Sequence, residues 1–189
     1  MALTNDPYLA ERLRLFRSHG ITSDPERMEV VRDGVWHYQQ IELGYNYRMT
    51  DMQAALGASQ MDRLEIFCHR RHEIAKQYNV LLEAFPVILP WQHPDTRSSF
   101  HLYPIQCPPT TTSNRKNVFD GFRDKEILVN VHYIPVHLQP YYRKQGFKVG
   151  DFPVAEKYYD QVLSLPVYAT LSDEQQLEVI AVLKTLLGL

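Results

Sequence analysis

Gly44-Tyr45-Asn46-Tyr47-Arg48-Met49-Thr50 places a glycine, two phenols, an amide and a guanidinium directly ahead of a helix start. Thr50, with Gln53 three residues later, has the pattern of a capping box. A loop of this composition ending on a helix N-terminus can present several donors to an anion such as a phosphate. An ordinary turn before an amphipathic helix has the same residues, so the stretch by itself leaves both readings open. His132, Tyr133 and His137 form a second group, set at a strand end and in the proline-punctuated loop beyond it, where ligand contacts often lie. Packing alone also accounts for a Tyr and a His in such a place. His69 and His72 lie three apart, but no carboxylate cluster or HExxH pattern accompanies them, and no metal site is expected. GxGxxG, GxxxxGK[ST] and GxSxG are absent, which leaves dinucleotide, P-loop and hydrolase chemistry without support.

The elements that must hold these groups follow from pattern and punctuation. Asn5-Asp6-Pro7 starts a helix whose apolar face is Tyr8, Leu9, Leu13 and Phe16, and Gly20 marks its end. Residues 21–45 show no clean period, and the aromatic group Trp36, His37 and Tyr38 there suggests packing against something. A helical pattern runs from Thr50 to about Phe85; unbroken, it would be ~50 Å long, so it either joins two layers or bends, with Gly57 its weakest point. Pro86, Pro90 and Pro94 end it. A strand is predicted over 100–107, and a helix capped by Ser113 or Asn114 carries Val118, Phe119 and Phe122. The β-branched run 127–134, bounded by Pro135, reads as the clearest strand. A short helix from Pro153 bears Ala155, Tyr158, Tyr159 and Val162, and 165–168 is extended. Ser172 and Gln175 form a second capping box before a helix with Leu177, Ile180, Leu183, Leu186 and Leu187.

With 189 residues, 44% of them hydrophobic and 22% charged, the chain can bury a sizeable core. Its net charge of −2 gives no reason to expect nucleic-acid binding, and Arg12, Arg14 and Arg17 read as a solvated helix face. Cys68 and Cys107 lack a CxxC partner and read as free thiols of a reducing compartment. No apolar run approaches the ~20 residues that span a bilayer. The N-terminus lacks the basic start and apolar core of a signal peptide. A cytoplasmic location is expected.

Three pieces together resemble the sugar aminotransferases of the DegT/DnrJ/StrS family. They are Leu15-Phe16-Arg17-Ser18-His19-Gly20-Ile21, Gly44 to Asp51 with Gln53-Ala54-Ala55, and His132-Tyr133-Ile134-Pro135-Val136-His137. Their order and spacing resemble the family's across residues 4–187, and the last piece looks most like members that aminate UDP-linked 4-keto-6-deoxy sugars for surface glycans. The resemblance implies an α/β chain, α+β in its C-terminal part, forming the C-terminal portion of a fold-type I pyridoxal-phosphate (PLP) transferase. Residues 1–50 would be a remnant of the large cofactor domain, 51–85 a long connecting helix, and 86–189 a small domain whose antiparallel or mixed sheet is covered by helices.

The resemblance also assigns roles. Asn46 matches the asparagine that reaches across a dimer to the neighbouring subunit's cofactor phosphate, and Arg48 can add charge nearby. Trp36, His37, Tyr133 and His137 are candidates for the nucleotide-sugar side. The lysine that bonds covalently to PLP lies, in the family, shortly before the piece matched by Leu3-Thr4-Asn5-Asp6, which would fall upstream of Met1. The first lysine here is Lys76, and it and the later ones fall in segments that match non-catalytic parts. No covalent PLP binding, no catalytic residue and no transamination are therefore expected of these residues alone. Partners in the full-length family are a nucleotide-linked sugar, an amino donor and a second copy. A non-catalytic nucleotide-sugar-binding or subunit-interaction domain, and a non-functional remnant, are the other roles considered. The apolar face of Leu9, Leu13 and Phe16 would lack its covering sheet, which favours association in a dimer or swapped arrangement.

Overall fold

The computed structural model describes residues 2–109 and 114–189, which divide into two compact units, Met1–Asp62 and Arg63–Leu189. In the first unit, helix α1 (Pro7–Phe16) starts where the Asp6 carboxylate accepts the amides of Tyr8 and Leu9 at 2.8 and 3.2 Å, with Pro7 in the first turn. Beyond its end the chain turns through His19 and Gly20, at φ +63° and +69°, and the Gly20 amide returns to the Leu15 carbonyl at 3.0 Å. Strand β1 (Ile21–Thr22) pairs antiparallel with β2 (Gln39–Gln40), and a capped 3₁₀ turn, Pro25–Arg27, lies between them. Residues 21–45, which show no sequence period, thus form a minimal two-residue ladder with turns. Helix α2 (Asp51–Met61) begins with the expected capping box of Thr50 and Gln53.

The second unit builds a core of its own. Helices α3 (Leu64–Leu81), α4 (Arg115–Asp124) and α7 (Asp173–Leu186) surround an antiparallel pair, β3 (Tyr103–Gln106) and β4 (Val162–Leu165), in the register Tyr103↔Leu165 and Ile105↔Leu163. Short helices α5 (Pro140–Arg143) and α6 (Pro153–Gln161) precede β4. Ile74, Tyr78, Leu82, Tyr103, Ile105, Val118, Phe122, Leu163 and Leu183 are fully enclosed together. The buried polar atoms in this core mostly find partners: the Tyr78 hydroxyl donates to the Pro166 carbonyl at 3.0 Å and the Tyr103 hydroxyl to Asn79 at 2.5 Å. Burial pushes the Tyr78 and Tyr103 phenols up and the Cys107 thiol to about 11, so all three are neutral at physiological pH. Cys68 and Cys107 are unpaired. Among the described residues no helix is long and apolar enough to cross a membrane.

Two expectations about elements are corrected. The helical pattern over 50–85 is two helices, interrupted at 62–63 and not at Gly57; Arg63 at φ −106° and ψ 0° leaves helical geometry between Met61 and Leu64. The predicted strand 127–134 is a single bridge, Asn130↔Ser164. Its ladder groups are taken elsewhere: the Val129 carbonyl accepts Arg123, and the Val131 amide donates to the Asn130 side chain at 2.8 Å. The inner strand is β4, whose four residues are all buried. A short apolar run of that kind does not distinguish a buried strand from the end of a helix. Capping at Asn114 is observed; the alternative, Ser113, lies outside the described residues.

Candidate functional site

The 44–48 segment is fixed by its backbone while its side chains face solvent. Tyr45 donates to the Phe16 carbonyl at 2.6 Å and accepts from His19 at 2.8 Å, Tyr47 donates to Arg17 at 3.0 Å, and Asn46 bridges Ser18. Such closeness requires glycine at two places, because a Cβ on Gly44 would overlap the Gly20 amide and one on Gly20 the Glu42 carbonyl. An Arg12–Glu42 ion pair ties the same stretch to α1. Alternation along the extended segment puts Tyr45 and Tyr47 on one side, their rings stacked 4.9 Å apart. Asn46 and Arg48 therefore fall on the other side, both exposed, and among the described residues neither side chain has a hydrogen-bond or ion-pair partner. Just beyond, the capping box satisfies the amides of Thr50 and Gln53 and leaves those of Asp51 and Met52 free among the described residues. An amide, a guanidinium and a helix N-terminus thus occur within seven residues.

Trp36 and His37 belong to a second loop of the same unit. Arg32 clamps it by donating to the Gly34 and Val35 carbonyls, both at 2.9 Å. The Trp36 indole lies over Gly34, where a Cβ would meet ring atoms at 2.6 Å, yet the residue remains 72% exposed. His37 Nδ1 accepts the Asp33 amide at 2.9 Å, which in the neutral imidazole places the proton on Nε2 as a donor.

In the other unit the structure separates two residues that the sequence groups. Tyr133 is 71% exposed and meets the His132 ring edge-on at 4.6 Å. His137 is 7% exposed in the 3₁₀ turn Val136–Leu138, its Nε2 2.8 Å from Glu156 and its ring 4.7 Å from that of Phe152. Burial pushes the Glu156 carboxyl up, but the His137 bond and the Gly150 and Phe152 amides outweigh it and hold the group below its ordinary value. His137 is therefore engaged by its own fold. The sequence analysis missed Glu156 and the 2.8 Å contact between His132 Nδ1 and the buried Ser164 hydroxyl. Both join segments many residues apart, which no spacing rule reports. His69 and His72 take separate partners, Glu73 at 3.3 Å and the Ser98 carbonyl at 2.7 Å.

Comparisons with known proteins put this geometry in context. The model of the DegT/DnrJ/EryC1/StrS aminotransferase family matches residues 1–184. The spore coat polysaccharide biosynthesis protein SpsC of Bacillus subtilis is 39% identical over 184 residues, covering 95% of this chain and 47% of that protein. The UDP-4-amino-4,6-dideoxy-N-acetyl-beta-L-altrosamine transaminase of Helicobacter pylori is 31% identical, covering 91% of this chain and 44% of that protein. A solved structure of the putative sugar aminotransferase Spr1654 from Streptococcus pneumoniae, in its PMP form, superposes with a TM-score of 0.85 at 26% identity, over 98% of this chain and 46% of that one. The chain spans about half the length of the curated relatives it matches.

Proposed function

Because the chain belongs to the DegT/DnrJ/EryC1/StrS aminotransferase family, we propose that these 189 residues are the C-terminal half of a PLP-dependent aminotransferase of nucleotide-linked sugars. The observation that carries the reading is the 44–50 segment, where a hydrogen-bonded backbone holds an amide and a guanidinium, both without side-chain partners among the described residues, beside a helix N-terminus. That donor set fits a phosphate monoester: a neutral amide completes a phosphate shell without adding charge, and guanidinium matches phosphate oxygens. When bound, PLP supplies an electron sink for charge developing at the amino-bearing carbon. In an assembled homodimer, Asn46 would hold the phosphate of the neighbouring subunit's cofactor through its amide N–H, and Arg48 would supply compensating charge beside it.

Trp36 and His37 are our candidates for nucleotide-sugar contacts in the first unit, through a flat exposed indole and an Nε2–H donor, and in the second unit Tyr133 offers an exposed phenol. His137 acts indirectly, by fixing the turn that follows Tyr133 through its 2.8 Å contact with Glu156. A UDP-linked 4-keto-6-deoxy sugar is the proposed acceptor, supported by the likeness to the H. pylori transaminase. Transamination also needs a lysine amine to hold the cofactor and carry a proton, and Lys76 is the first lysine present. These residues by themselves therefore bind and orient but do not turn over. The test is an assay with PLP, an amino donor and a UDP-4-keto-6-deoxy sugar, run on this chain alone and with the unmatched half of a relative added. Turnover only in the mixture is expected. Turnover by the chain alone refutes the division of labour, and a mixture that binds sugar without turnover favours a non-catalytic binding domain.

A further inference from the structure

Ahead of β3 the second unit holds a loop, 90–102, that is exposed along most of its length and braced throughout. Thr96 donates through its amide and its hydroxyl to the His93 carbonyl, at 3.0 and 2.8 Å, and Gln92 donates to the Thr96 carbonyl. Two contacts tie the loop to α3: Arg97 pairs with Glu65 at 2.8 Å, and His72 Nε2 lies 2.7 Å from the Ser98 carbonyl. Phe100 is held at φ +44°, a conformation that bulky residues rarely adopt. The Ser98 hydroxyl accepts its amide at 3.0 Å, and the His72 ring meets its ring edge-on at 4.9 Å. Strain of that kind persists only where surrounding contacts impose it, and it gathers at ligand sites.

The braced loop borders an open cavity of about 500 Å³, within the size range of small-molecule sites. In a chain of which 22% of residues are charged, no Asp, Glu, Lys or Arg among the described residues lines it. One wall is the Trp91 indole, 79% exposed and met edge-on by the His93 ring at 5.6 Å. Gln92, Ser99 and His101 stand around it, and the Ser99 and His101 side chains have no partner among the described residues. A phosphate or carboxylate finds no countercharge in this lining, and an aliphatic ligand would leave its hydroxyl, amide and imidazole groups unpaired. A pyranose ring matches both halves, because its C–H face lies flat on an indole while its hydroxyl edge both donates and accepts. We propose that this cavity binds a neutral saccharide ring, stacked on Trp91 with its hydroxyls bonded to Gln92, Ser99 and His101. The site uses none of the residues assigned above to the cofactor or the nucleotide-linked sugar. With no cation to meet a diphosphate, it takes a sugar without its nucleotide.

The test titrates this chain with methyl β-glucopyranoside, followed by saturation-transfer NMR and by tryptophan fluorescence. Fluorescence is read in a Trp36→Phe background, where Trp91 is the remaining tryptophan. A saturable Trp91 shift with a Kd on the order of 1–10 mM is expected, as for a ligand of that size in an open pocket. By NMR, Trp91→Ala should weaken binding about tenfold or more, His101→Ala by less, and Asn46→Asp not at all. Trp91 is exposed, so its substitution leaves the fold intact, which circular dichroism checks, and Trp91→Phe, which keeps a flat ring, should retain part of the affinity. Absence of a Trp91 shift overturns the proposal, as does wild-type binding that Trp36→Phe abolishes. A Trp91 shift produced by UDP or by a polyproline peptide, with none from the glycoside, overturns it too. Turnover in the mixed-half assay is read separately, so the loss of either reading leaves the other standing.

Discussion

Phe122→Ala and Leu13→Ala form a pair that probes the difference between the two units. Phe122 on α4 is fully enclosed in the core with Val118, Leu163 and Leu183. Its truncation removes a large transfer term and leaves a cavity, which together cost about 3–5 kcal/mol. For a protein of this size that lowers Tm by roughly 6–20 °C. Leu13 on α1 is 43% exposed, and its truncation costs about 0.5 kcal/mol or less, as for other surface positions. Urea titration followed by far-UV circular dichroism, with a thermal scan of each variant, reads both. The expected result is one cooperative transition that moves strongly with Phe122→Ala and stays in place with Leu13→Ala. Equal losses for the two variants would refute the reasoning, since they would require a packed core around α1.

Further outcomes follow from single contacts. Glu156→Gln removes a carboxylate held below its ordinary value of 4.5, so the stability it contributes is fully present above pH 4.5 and is lost as pH falls through the lower folded value. Urea midpoints measured from pH 7 to 3 should show wild type and Glu156→Gln differing above 4.5 and converging below it. Thr50→Ala deletes the α2 cap and should cost about 0.5–2 kcal/mol of that helix's stability. Because α2 buries nothing, the loss should appear as faster hydrogen exchange within Asp51–Met61 and leave the exchange of α7 unchanged. Gln176→Leu replaces a buried amide whose nitrogen donates to the Ile74 carbonyl at 2.8 Å and whose oxygen has no partner among the described residues. The two effects offset, and the urea midpoint should change by less than about 1.5 kcal/mol equivalent.

What could be read from the sequence was mostly local. Thr50 with Gln53 and Ser172 with Gln175 form the expected capping boxes, Asn114 is one of the two caps offered for its helix, and the start placed at Asn5-Asp6-Pro7 is capped by Asp6, because a cap is settled by residues within three positions. The strand at 127–134 was not legible, since β-branched composition carries no information about Arg123 taking the Val129 carbonyl. Nor was β4, whose Val162–Leu165 run continues the apolar pattern of the helix before it. The break at Arg63 interrupts a periodic pattern without a glycine or proline to announce it. Of the candidate site residues, Asn46 and Arg48 share one exposed face as alternation predicts, and Trp36, His37 and Tyr133 lie on exposed loops. His137 differs because its environment is made by Glu156, nineteen residues away.

The central claim is that Asn46 presents its amide to a cofactor phosphate, and PLP affinity of the assembled protein tests it most directly. Fluorescence titration of the chain mixed with the unmatched half should give a Kd that Asn46→Asp raises about tenfold or more, since a donor is lost and a like charge is set beside the phosphate. Asn46→Gln, which keeps the donor, should retain part of the affinity, and Asn130→Asp in the other unit should leave it unchanged. An unchanged Kd for Asn46→Asp would contradict the account.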